Sequence, residues 1–217
     1  MTRLTREQTA AYWEERHRTS DPWRAGGDRG MDEKTNEAFY HVRLGLILRM
    51  LANRFGCGRA LRILDAGCGR GWFTARLKAL GHDVMGVDVS DEAIRRARET
   101  CDAPFFVAPL DGFVCDRRFD AIISVDVLYH ITDDDQWRRS LRNLSGLLDD
   151  KGVLIFSDWL REETCAQGDY IVHRSRREHD LAMADLGLTI AVSDPYGAFS
   201  PASMHMCIRS ELGPPPA

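Results

Sequence analysis

The stretch LDAGCGRGWF, residues 64–73, decides the fold, because it places an acid and three closely spaced glycines directly after an apolar run. An apolar strand that ends in a glycine-rich turn and leads into a helical pattern is typical of the first unit of a doubly wound α/β sheet. Ligands of such sheets bind at the carboxyl ends of the strands. We therefore expect this turn to hold a cofactor.

The chain downstream alternates short apolar runs with helical patterns. Continuous apolar runs predict parallel strands that are covered on both faces. The last two extended runs, LTIAVSD and MHMCIRS, are close enough in sequence to form an antiparallel pair. We predict a doubly wound, mostly parallel seven-stranded sheet with an antiparallel C-terminal strand, and a helix before the fifth strand that stops at Gly152. The first five strands are expected in LRILDAG, DVMGVDVS, PFFVAPL, FDAIISVDV and GVLIFSDW.

Two helical patterns come first in the chain. Thr5 and Gln8 have the spacing of a capping box before AAYWEERH, and apolar residues recur at helical intervals in EAFYHVRLGLILRMLANRF. Between them, RTSDPWRAGGDRGMDEK is rich in Gly, Asp and Arg, so we interpret it as a mobile loop that could act as a lid. We expect an N-terminal helical cap over residues 1–58 and, within the same domain, the sheet core over 59–210. The tail 211–217 is expected to be disordered.

Composition excludes several function classes. The net charge is −4, and the basic residues are almost all arginine without a basic block, so we expect no nucleic-acid partner. The N-terminus is polar, and the longest purely aliphatic stretch, LGLIL, is too short to span a bilayer. We therefore expect a cytoplasmic protein without a membrane partner. The sequence has no C-x-x-C pattern and no zinc-like cysteine–histidine spacing, so no metal is expected. A metal site made by a single helix-end pair of Asp or His side chains stays an open alternative.

The glycine turn departs from two common phosphate-binding patterns. In a G-x-G-x-x-G dinucleotide pattern that starts at Gly67, the third glycine position holds Trp72, and no Gly-Lys-Ser/Thr follows as in a P-loop. Asp65 starts the turn and could fix it through backbone N–H groups or face a cationic ligand. Asp88 ends the second strand, where an acid can accept both hydroxyls of a ribose or cap the next helix together with Ser90. A ribose without a pyrophosphate is the implied ligand.

The segment ILDAGCGRGWFTARLKALGHDVMGVDVSDEAIRRAR resembles the first two strands of class I S-adenosylmethionine-dependent methyltransferases, whose glycine motif has the form D-x-G-C-G-x-G. RFDAIISVDVLYHI and GVLIFSDW match the fourth and fifth strands of that family. The resemblance implies a Rossmann-like core that binds S-adenosyl-L-methionine. It further implies that Gly67, Gly69 and Gly71 line the methionine end of the cofactor, and that Asp88 binds the ribose.

The resemblance also implies contacts at the two ends of the cofactor. Val89 would flank the adenine ring, and Asp111 matches a position whose carboxylate or backbone meets the adenine, unless it is a surface loop acid. The helix that contains Tyr12 and Trp13 resembles the cap helix of small-molecule methyltransferases, in which aromatic groups cover the cofactor. Arg43 could reach the cofactor carboxylate, because a guanidinium fork matches that group, or could anchor its helix to the sheet.

Candidates for catalysis follow the fourth strand in SVDVLYHITDDDQW. His130 is a candidate general base with a titration range near neutrality, and a structural histidine is the alternative. Tyr129 could orient an acceptor or close over the methyl group. Asp126 and Asp158, at the ends of the fourth and fifth strands, could contact the cofactor amine or the acceptor, or could be solvated strand-end acids.

These observations predict an O- or N-methyltransferase that acts on a small molecule, such as a secondary metabolite, as a monomer or homodimer. Three alternatives stay open. The same cofactor could be attacked at its aminobutyrate carbon, which gives aminocarboxypropyl transfer or cyclisation and releases methylthioadenosine. The chain could be a non-catalytic cofactor-binding protein, or a nicotinamide dehydrogenase, against which Trp72 argues.

Overall fold

The computed structural model describes residues 3–197 and 200–210. Three helices come first, and a seven-stranded sheet with flanking helices follows them. The predicted tail at 211–217 lies outside the described residues. The helices are α1 (Arg6–Thr19), α2 (Pro22–Gly26), α3 (Glu33–Phe55), α4 (Trp72–Ala79), α5 (Asp91–Thr100), α6 (Asp134–Leu147) and α7 (Arg176–Ala184). The strands are β1 (Arg62–Ala66), β2 (Asp83–Asp88), β3 (Phe105–Val107), β4 (Phe119–Ser124), β5 (Leu148–Asp158), β6 (Cys165–Gln167), β7 (Ile171–His173), β8 (Leu188–Pro195) and β9 (Ser203–Arg209).

The strand order of the large sheet is β3-β2-β1-β4-β5-β9-β8. All neighbours from β3 to β5 pair in parallel, and β9 is antiparallel to both β5 and β8. The predicted mostly parallel seven-stranded sheet with an antiparallel C-terminal strand is therefore confirmed. Its strand order reverses between β1 and β4, which is where such sheets open a crevice at their carboxyl ends.

Apolar side chains fill both faces of the sheet. Trp137 of α6 and Met183 of α7 pack with Ile122 and Phe156 on one face. On the other face, α3 and α4 pack with the opposite side of the same strands, together with Met204 and Met206 of β9. Because side chains alternate between the faces of a strand and both faces are covered, the central strands are apolar at nearly every position. This core holds the carboxyl ends of the strands in fixed positions.

The capping box that was expected at Thr5 and Gln8 is present and starts α1. The segment between α1 and α3 differs from the predicted loop, because it contains the short helix α2. Asp21 caps this helix by accepting the backbone N–H groups of Trp23 and Arg24, and Pro22 begins it. The N-terminal helices are therefore confirmed, with one more helix than the sequence indicated.

Around β5, one prediction from the sequence was wrong and one element was not predicted. Gly152 does not stop α6, since that helix ends at Leu147 and Gly152 lies inside β5 at a register shift against β4. A Cβ atom at Gly152 would lie 2.8 Å from the carbonyl oxygen of Phe119, so close backbone approach requires the glycine. The antiparallel hairpin of β6 and β7 was not predicted from the sequence.

Candidate functional site

A cavity of about 370 Å³ opens at the carboxyl ends of β1, β2 and β4. This is the crevice that the strand order predicts, and its volume is in the range of small-molecule sites. The glycine turn after β1, the ends of β2 and β4, and the N-terminal helices form its walls. Its lining includes Trp13, His17, Trp23, Tyr40, Gly67, Cys68, Gly69, Arg70, Trp72, Asp88, Val89, Leu110, Asp126 and His130.

The glycine turn needs glycine for two different reasons. All three glycines of the turn have positive φ, at 85° for Gly67, 52° for Gly69 and 76° for Gly71, which L side chains rarely adopt. At Gly67 a Cβ atom would also lie 2.3 Å from Cγ2 of Val127. Gly67 and Gly69 line the cavity, whereas Gly71 caps the start of α4 outside the described lining. The turn thus presents bare backbone to a ligand.

Asp88 links the turn after β1 to the end of β2. Its Oδ2 accepts the backbone N–H of Gly69 at 2.9 Å, and its Oδ1 accepts the backbone N–H of Ser90 at 3.0 Å. Ser90 also caps α5, as the sequence indicated. Each carboxylate oxygen can accept a further hydrogen bond, so the group can receive two hydroxyls from the cavity. Val89 continues the wall beside it.

Asp65 lies behind the turn and outside the described cavity wall. Its side chain is 1% exposed, and its Oδ2 accepts a hydrogen bond from Oγ1 of Thr74 at 2.6 Å. Burial raises the pKa of Asp65 to about 7. The structure therefore places Asp65 as a group that joins β1 to α4.

Helix α1 lies over the cavity and is tied to the turns beneath it. Oε2 of Glu14 accepts hydrogen bonds from Oγ of Ser90 at 2.6 Å and from the backbone N–H of Glu92 at 3.1 Å. From the opposite side, Nη2 of Arg70 donates to the carbonyl oxygens of His17 and Ser20. These bonds hold α1 across the glycine turn and the N-terminus of α5.

His17 and Arg70 also line the cavity, although neither was predicted from the sequence. His17 is 3% exposed, and a Cβ atom at Gly69 would lie 3.5 Å from its Cε1. Burial lowers the pKa of His17 despite the nearby Asp88. The spacing of His17 four residues after Trp13, on one face of α1, was the available signal.

Two predicted cofactor contacts lie away from the described cavity lining. The ring of Tyr12 stacks on Tyr170 with centroids 4.9 Å apart, and its hydroxyl accepts a hydrogen bond from Arg16 at 3.1 Å. The Asp111 carboxylate pairs with Arg6 at 3.2 Å and Arg139 at 3.3 Å, while Leu110 beside it lines the cavity. Tyr12 therefore connects α1 to the β6–β7 hairpin, and Asp111 connects it to α6.

Arg43 and Asp126 form an ion pair in which both side chains are largely buried. Asp126 has φ of 57°, and its Oδ1 accepts a hydrogen bond from Oγ of Ser157 at 2.8 Å. The Arg43 guanidinium lies over the ring of Phe39 at 3.8 Å. Asp126 lines the cavity, and Arg43 lies behind it outside the described lining.

The two predicted catalytic residues follow β4 in a short 3-10 helix, Leu128–His130. Nδ1 of His130 lies 2.9 Å from the carbonyl oxygen of Tyr170, so this nitrogen carries the proton. Burial lowers the pKa of His130 to about 3 and raises the pKa of Tyr129 well above its usual value. His130 lines the cavity, whereas Tyr129 lies behind it, with ring centroids 4.4 Å apart. Both groups are therefore neutral near pH 7.

Asp158 ends β5 among three histidines. Its Oδ1 lies 2.6 Å from Nδ1 of His173, and its Oδ2 lies 3.3 Å from Nε2 of His179. Its carbonyl oxygen lies 3.3 Å from Nε2 of His205. A search of the described residues finds no group of three or more His, Cys, Asp or Glu side chains that could hold a metal ion.

No helix of the described chain has the length and apolarity to cross a membrane.

Comparisons with known proteins agree with this geometry. The family described as "Methyltransferase domain" matches residues 34–210. Nodulation protein S of Rhizobium tropici is 28% identical over 155 residues, which cover 70% of this chain and 60% of that protein. The ubiquinone biosynthesis O-methyltransferase of Rickettsia prowazekii is 24% identical over 140 residues, 62% of this chain and 53% of that protein. The chain thus spans less than two thirds of either relative.

Solved structures share the fold. The magnesium protoporphyrin IX methyltransferase of Synechocystis PCC 6803 with bound SAH has a TM-score of 0.74 at 19% identity, over 94% of this chain and 100% of that one. The N-methyltransferase NodS of Bradyrhizobium japonicum WM9 in complex with S-adenosyl-l-homocysteine has a TM-score of 0.68 at 21% identity, over 93% and 98%. The family match over residues 34–210 and this shared fold establish the relationship. This chain belongs to the class I S-adenosylmethionine-dependent methyltransferase family.

Proposed function

We propose that this chain transfers a methyl group from S-adenosyl-L-methionine to an oxygen or nitrogen atom of a small molecule. The observation that carries the proposal is Asp88, whose carboxylate is fixed by the backbone of Gly69 and Ser90 at the wall of the cavity. A carboxylate held in this way beside bare glycine backbone suits an adenosine that carries an amino acid, and its second lone pairs suit the ribose hydroxyls.

The residues present fit this cofactor along the whole cavity. Asp88 would accept the ribose hydroxyls, and Val89 and Leu110 would flank the adenine. Gly67 and Gly69 would let the backbone approach the methionine end, where Asp126 also lines the cavity. A Cβ atom at Gly69 would project toward His17, so glycine at this position leaves the space between the turn and His17 free for the ligand.

The remaining predicted contacts support the site from outside it. Asp65 and Gly71 fix the turn and the start of α4, and Arg43 fixes Asp126. Tyr12 and Asp111 hold α1 in place through Tyr170 and Arg6. We keep residues 1–58 as a cap or lid that belongs to the same domain as the core, because α1 and α2 contribute side chains to the cavity wall.

The chemistry needs alignment and the exclusion of water. When bound, the cofactor supplies a methyl group attached to a sulfonium sulfur, and that sulfur is a good leaving group. Trp13 and His17 of α1 line the cavity, so the cap would help to hold an acceptor close to that methyl group and to exclude water from it. The names of several relatives, among them the N-methyltransferase NodS and the ubiquinone biosynthesis O-methyltransferase, favour a small-molecule acceptor.

The proposal is tested by the fate of the cofactor. The purified chain is incubated with S-adenosyl-L-methionine and a panel of phenols, catechols and amines, and the adenosine product is identified by mass spectrometry. We expect S-adenosylhomocysteine together with an acceptor heavier by one methyl group. Release of methylthioadenosine would assign the chemistry to the aminobutyrate carbon, and an unchanged cofactor with every acceptor would contradict an enzymatic role. The Asp88→Ala variant serves as the matched control for contaminating activity.

A further inference from the structure

The imidazole of His130 lines the cavity and has one ring nitrogen free for a ligand. Its Nδ1 lies 2.9 Å from the carbonyl oxygen of Tyr170, and a carbonyl only accepts hydrogen bonds, so Nδ1 carries the proton. Nε2 of the neutral ring therefore has a lone pair. Within residues 3–197 and 200–210, no hydrogen bond to this Nε2 is found, and the atom is not fully enclosed. His130 thus offers a ligand a hydrogen-bond acceptor.

The ring of His130 is fixed in this orientation from three sides. The Trp13 ring packs edge-on at 4.7 Å, the Tyr129 ring lies at 4.4 Å, and the Tyr170 ring stacks at 5.6 Å, all measured between centroids. A flip of the imidazole would break the hydrogen bond of Nδ1 to the Tyr170 carbonyl. The direction of the Nε2 lone pair is therefore set before a ligand binds.

His130 lies close to the methionine end of the proposed cofactor site. Its backbone N–H donates to the carbonyl oxygen of Val127 at 2.9 Å, within the same 3-10 turn. Val127 in turn closes on the glycine turn, because a Cβ atom at Gly67 would lie 2.3 Å from its Cγ2. Trp13 and Val127 line the cavity with His130. The three side chains therefore border the space beside the part of the cofactor that Gly67 would hold.

His130 is a weak base in this environment. Burial is the main reason that its pKa falls to about 3, and Arg16 and His173 lower it further. The hydrogen bond with Tyr170 and the charge of Asp158 act in the opposite direction without outweighing burial. His130 can therefore accept a hydrogen bond near neutral pH without taking over the proton.

Neighbouring groups of the cavity wall are also poorly suited to remove a proton. Burial lowers the pKa of His17 and raises the pKa of Tyr40 to about 12. Both carboxylate oxygens of Asp126 are engaged, one by the Arg43 guanidinium and the other by Oγ of Ser157. This part of the wall therefore favours an acceptor atom that is nucleophilic without first losing a proton.

We propose that the acceptor is a weakly basic nitrogen that carries hydrogen, as in an aromatic amine, and that His130 orients it by accepting its N–H at Nε2. The inference rests on the proposed function and names its substrate class. Such a nitrogen is uncharged near neutral pH and keeps a lone pair for the methyl carbon. A phenol would first have to lose its O–H proton, and an alkylamine its ammonium proton.

Methyl transfer to such a nitrogen balances without a base in the cavity. The lone pair of the amine nitrogen forms the bond to the methyl carbon, and the electron pair of the broken carbon–sulfur bond stays on sulfur. The methylated nitrogen is then cationic and acidic, and it passes its extra proton to water as the product leaves. His130 stays neutral throughout and acts as a positioning residue.

The rings beside His130 suit a flat acceptor. The planes of the Trp13 and His130 rings meet at 70°, and both rings line the cavity. A flat ring that lies against the Trp13 face can therefore direct an N–H in its own plane at Nε2 of His130. This arrangement favours an aromatic amine over an alkylamine.

The first test compares acceptors of equal size. The full chain is incubated at pH 7 with S-adenosyl-L-methionine and 4-methylaniline, benzylamine or 4-methylphenol, alongside the wider panel of phenols, catechols and amines. We expect kcat/KM for the aromatic amines to exceed that for the matched alkylamine and phenol by about tenfold or more. Equal or faster transfer to the phenol or benzylamine would overturn the inference and leave the proposed function intact. Transfer to no acceptor would overturn both.

The second test removes the nitrogen that accepts the hydrogen bond. His130→Asn keeps an amide N–H that can donate to the Tyr170 carbonyl but has no acceptor at the position of Nε2. We expect kcat/KM for 4-methylaniline to fall about tenfold, which is the loss of one hydrogen bond. The affinity for S-adenosylhomocysteine should stay within about twofold of wild type. His130→Gln, whose amide oxygen can reach the position of Nε2, should recover part of the rate.

The matched control is His82→Asn, since Nδ1 of His82 accepts the backbone N–H of Leu61 away from the described cavity lining. It should keep the wild-type rate. An unchanged kcat/KM in His130→Asn, with S-adenosylhomocysteine still bound, would contradict the positioning role of His130.

The pH profile separates orientation from proton transfer. Wild-type kcat/KM with 4-methylaniline should be level from about pH 6.5 to 9, because neither the aromatic amine nor His130 titrates in that range. His130→Asn should lower the profile without changing its shape. An acidic limb that is present in wild type and absent from His130→Asn would assign proton transfer to His130 and overturn the inference.

A measurement without turnover examines the contact itself. NMR spectra of the full chain with S-adenosylhomocysteine and nitrogen-15-labelled histidine follow the Nε2 resonance of His130. Addition of 4-methylaniline should shift this resonance, whereas N,N,4-trimethylaniline, which has no N–H, should leave it unchanged. An equal shift with both compounds, or no shift with 4-methylaniline, would contradict the hydrogen bond.

Discussion

Arg43 of α3 and Asp126 at the end of β4 form an ion pair that joins the N-terminal helices to the cavity wall. Arg43 is 6% exposed and Asp126 is 11% exposed, and Oγ of Ser157 donates a further hydrogen bond to Asp126. From the sequence, Arg43 could contact the cofactor carboxylate or anchor its helix to the sheet. Asp126 could contact the cofactor amine or the acceptor, or be a solvated strand-end acid. The structure pairs the two side chains, so that Arg43 positions Asp126, which lines the cavity together with Val127.

We expect Arg43→Met to lower the free energy of unfolding by about 3–5 kcal/mol, because it leaves the Asp126 carboxylate buried without its partner. Adding Asp126→Asn should cost much less than the sum of the two single substitutions. Denaturant titration of the four proteins measures the coupling. The control is Arg49→Met on the same helix, whose exposed pair with Asp194 should contribute about 1 kcal/mol or less. Strictly additive effects would contradict a direct pair.

Glu14 should govern the opening of α1. Its carboxylate accepts from Ser90 and Glu92 at the N-terminus of α5, where a negative charge is favourable. Glu14→Gln should weaken S-adenosylhomocysteine binding by about 1 kcal/mol, roughly fivefold, and speed hydrogen exchange across residues 6–19. Glu15→Gln is the matched control, because Glu15 is exposed and pairs with Arg18 of the same helix. Equal exchange rates in the two variants would contradict a role of Glu14 in closure.

Glycine substitutions should have opposite effects at two positions. At Gly67 the positive φ and the approach to Val127 predict that Gly67→Ala destabilises the fold by about 2 kcal/mol or more. Gly45 lies within α3 with no atom within 4 Å of an added Cβ, so Gly45→Ala should stabilise the fold by about 0.5–1 kcal/mol. Thermal unfolding of the two variants distinguishes these signs. A neutral Gly67→Ala variant would show that the turn does not require its backbone geometry.

His130 should make the fold sensitive to acid. Its pKa is about 3 in the folded chain and near the usual histidine value when unfolded, so protons favour the unfolded state below pH 6.5. This group alone should lower the stability by about 2 kcal/mol between pH 7 and pH 5. His205 also has a lowered pKa and acts in the same direction. Denaturant unfolding of His130→Asn should therefore show a shallower loss of stability over this range, and an unchanged slope would contradict a buried neutral His130.

The sheet and the contact between its first two strand ends in the candidate site were predictable because they depend on local patterns and on one topological rule. Continuous apolar runs, separated by turns that contain glycine, predicted every strand of the large sheet. Neighbouring parallel strands end at the same edge, which brings Asp88 within hydrogen-bonding distance of Gly69 although 19 positions separate them. The spacing of these residues therefore contained the geometry of the site.

The remaining features depend on tertiary packing that no local pattern specifies. The strands β6 and β7 have three residues each, too few for a periodic signal. The hairpin they form brings His173 to Asp158 and the carbonyl group of Tyr170 to His130. His130 was singled out for its ordinary titration range, but burial removes that property.

The most direct test of the cofactor assignment is calorimetric titration of the full chain with S-adenosylhomocysteine and, separately, with NAD. We expect S-adenosylhomocysteine to bind once per chain and NAD not to bind. Asp88→Asn should weaken S-adenosylhomocysteine binding about 10- to 100-fold, since it removes hydrogen bonds to a charged acceptor. Asp83→Asn, at the exposed start of the same strand, should bind as wild type does. Binding of NAD without S-adenosylhomocysteine, or equal affinity of the Asp88 variant and wild type, would contradict the assignment.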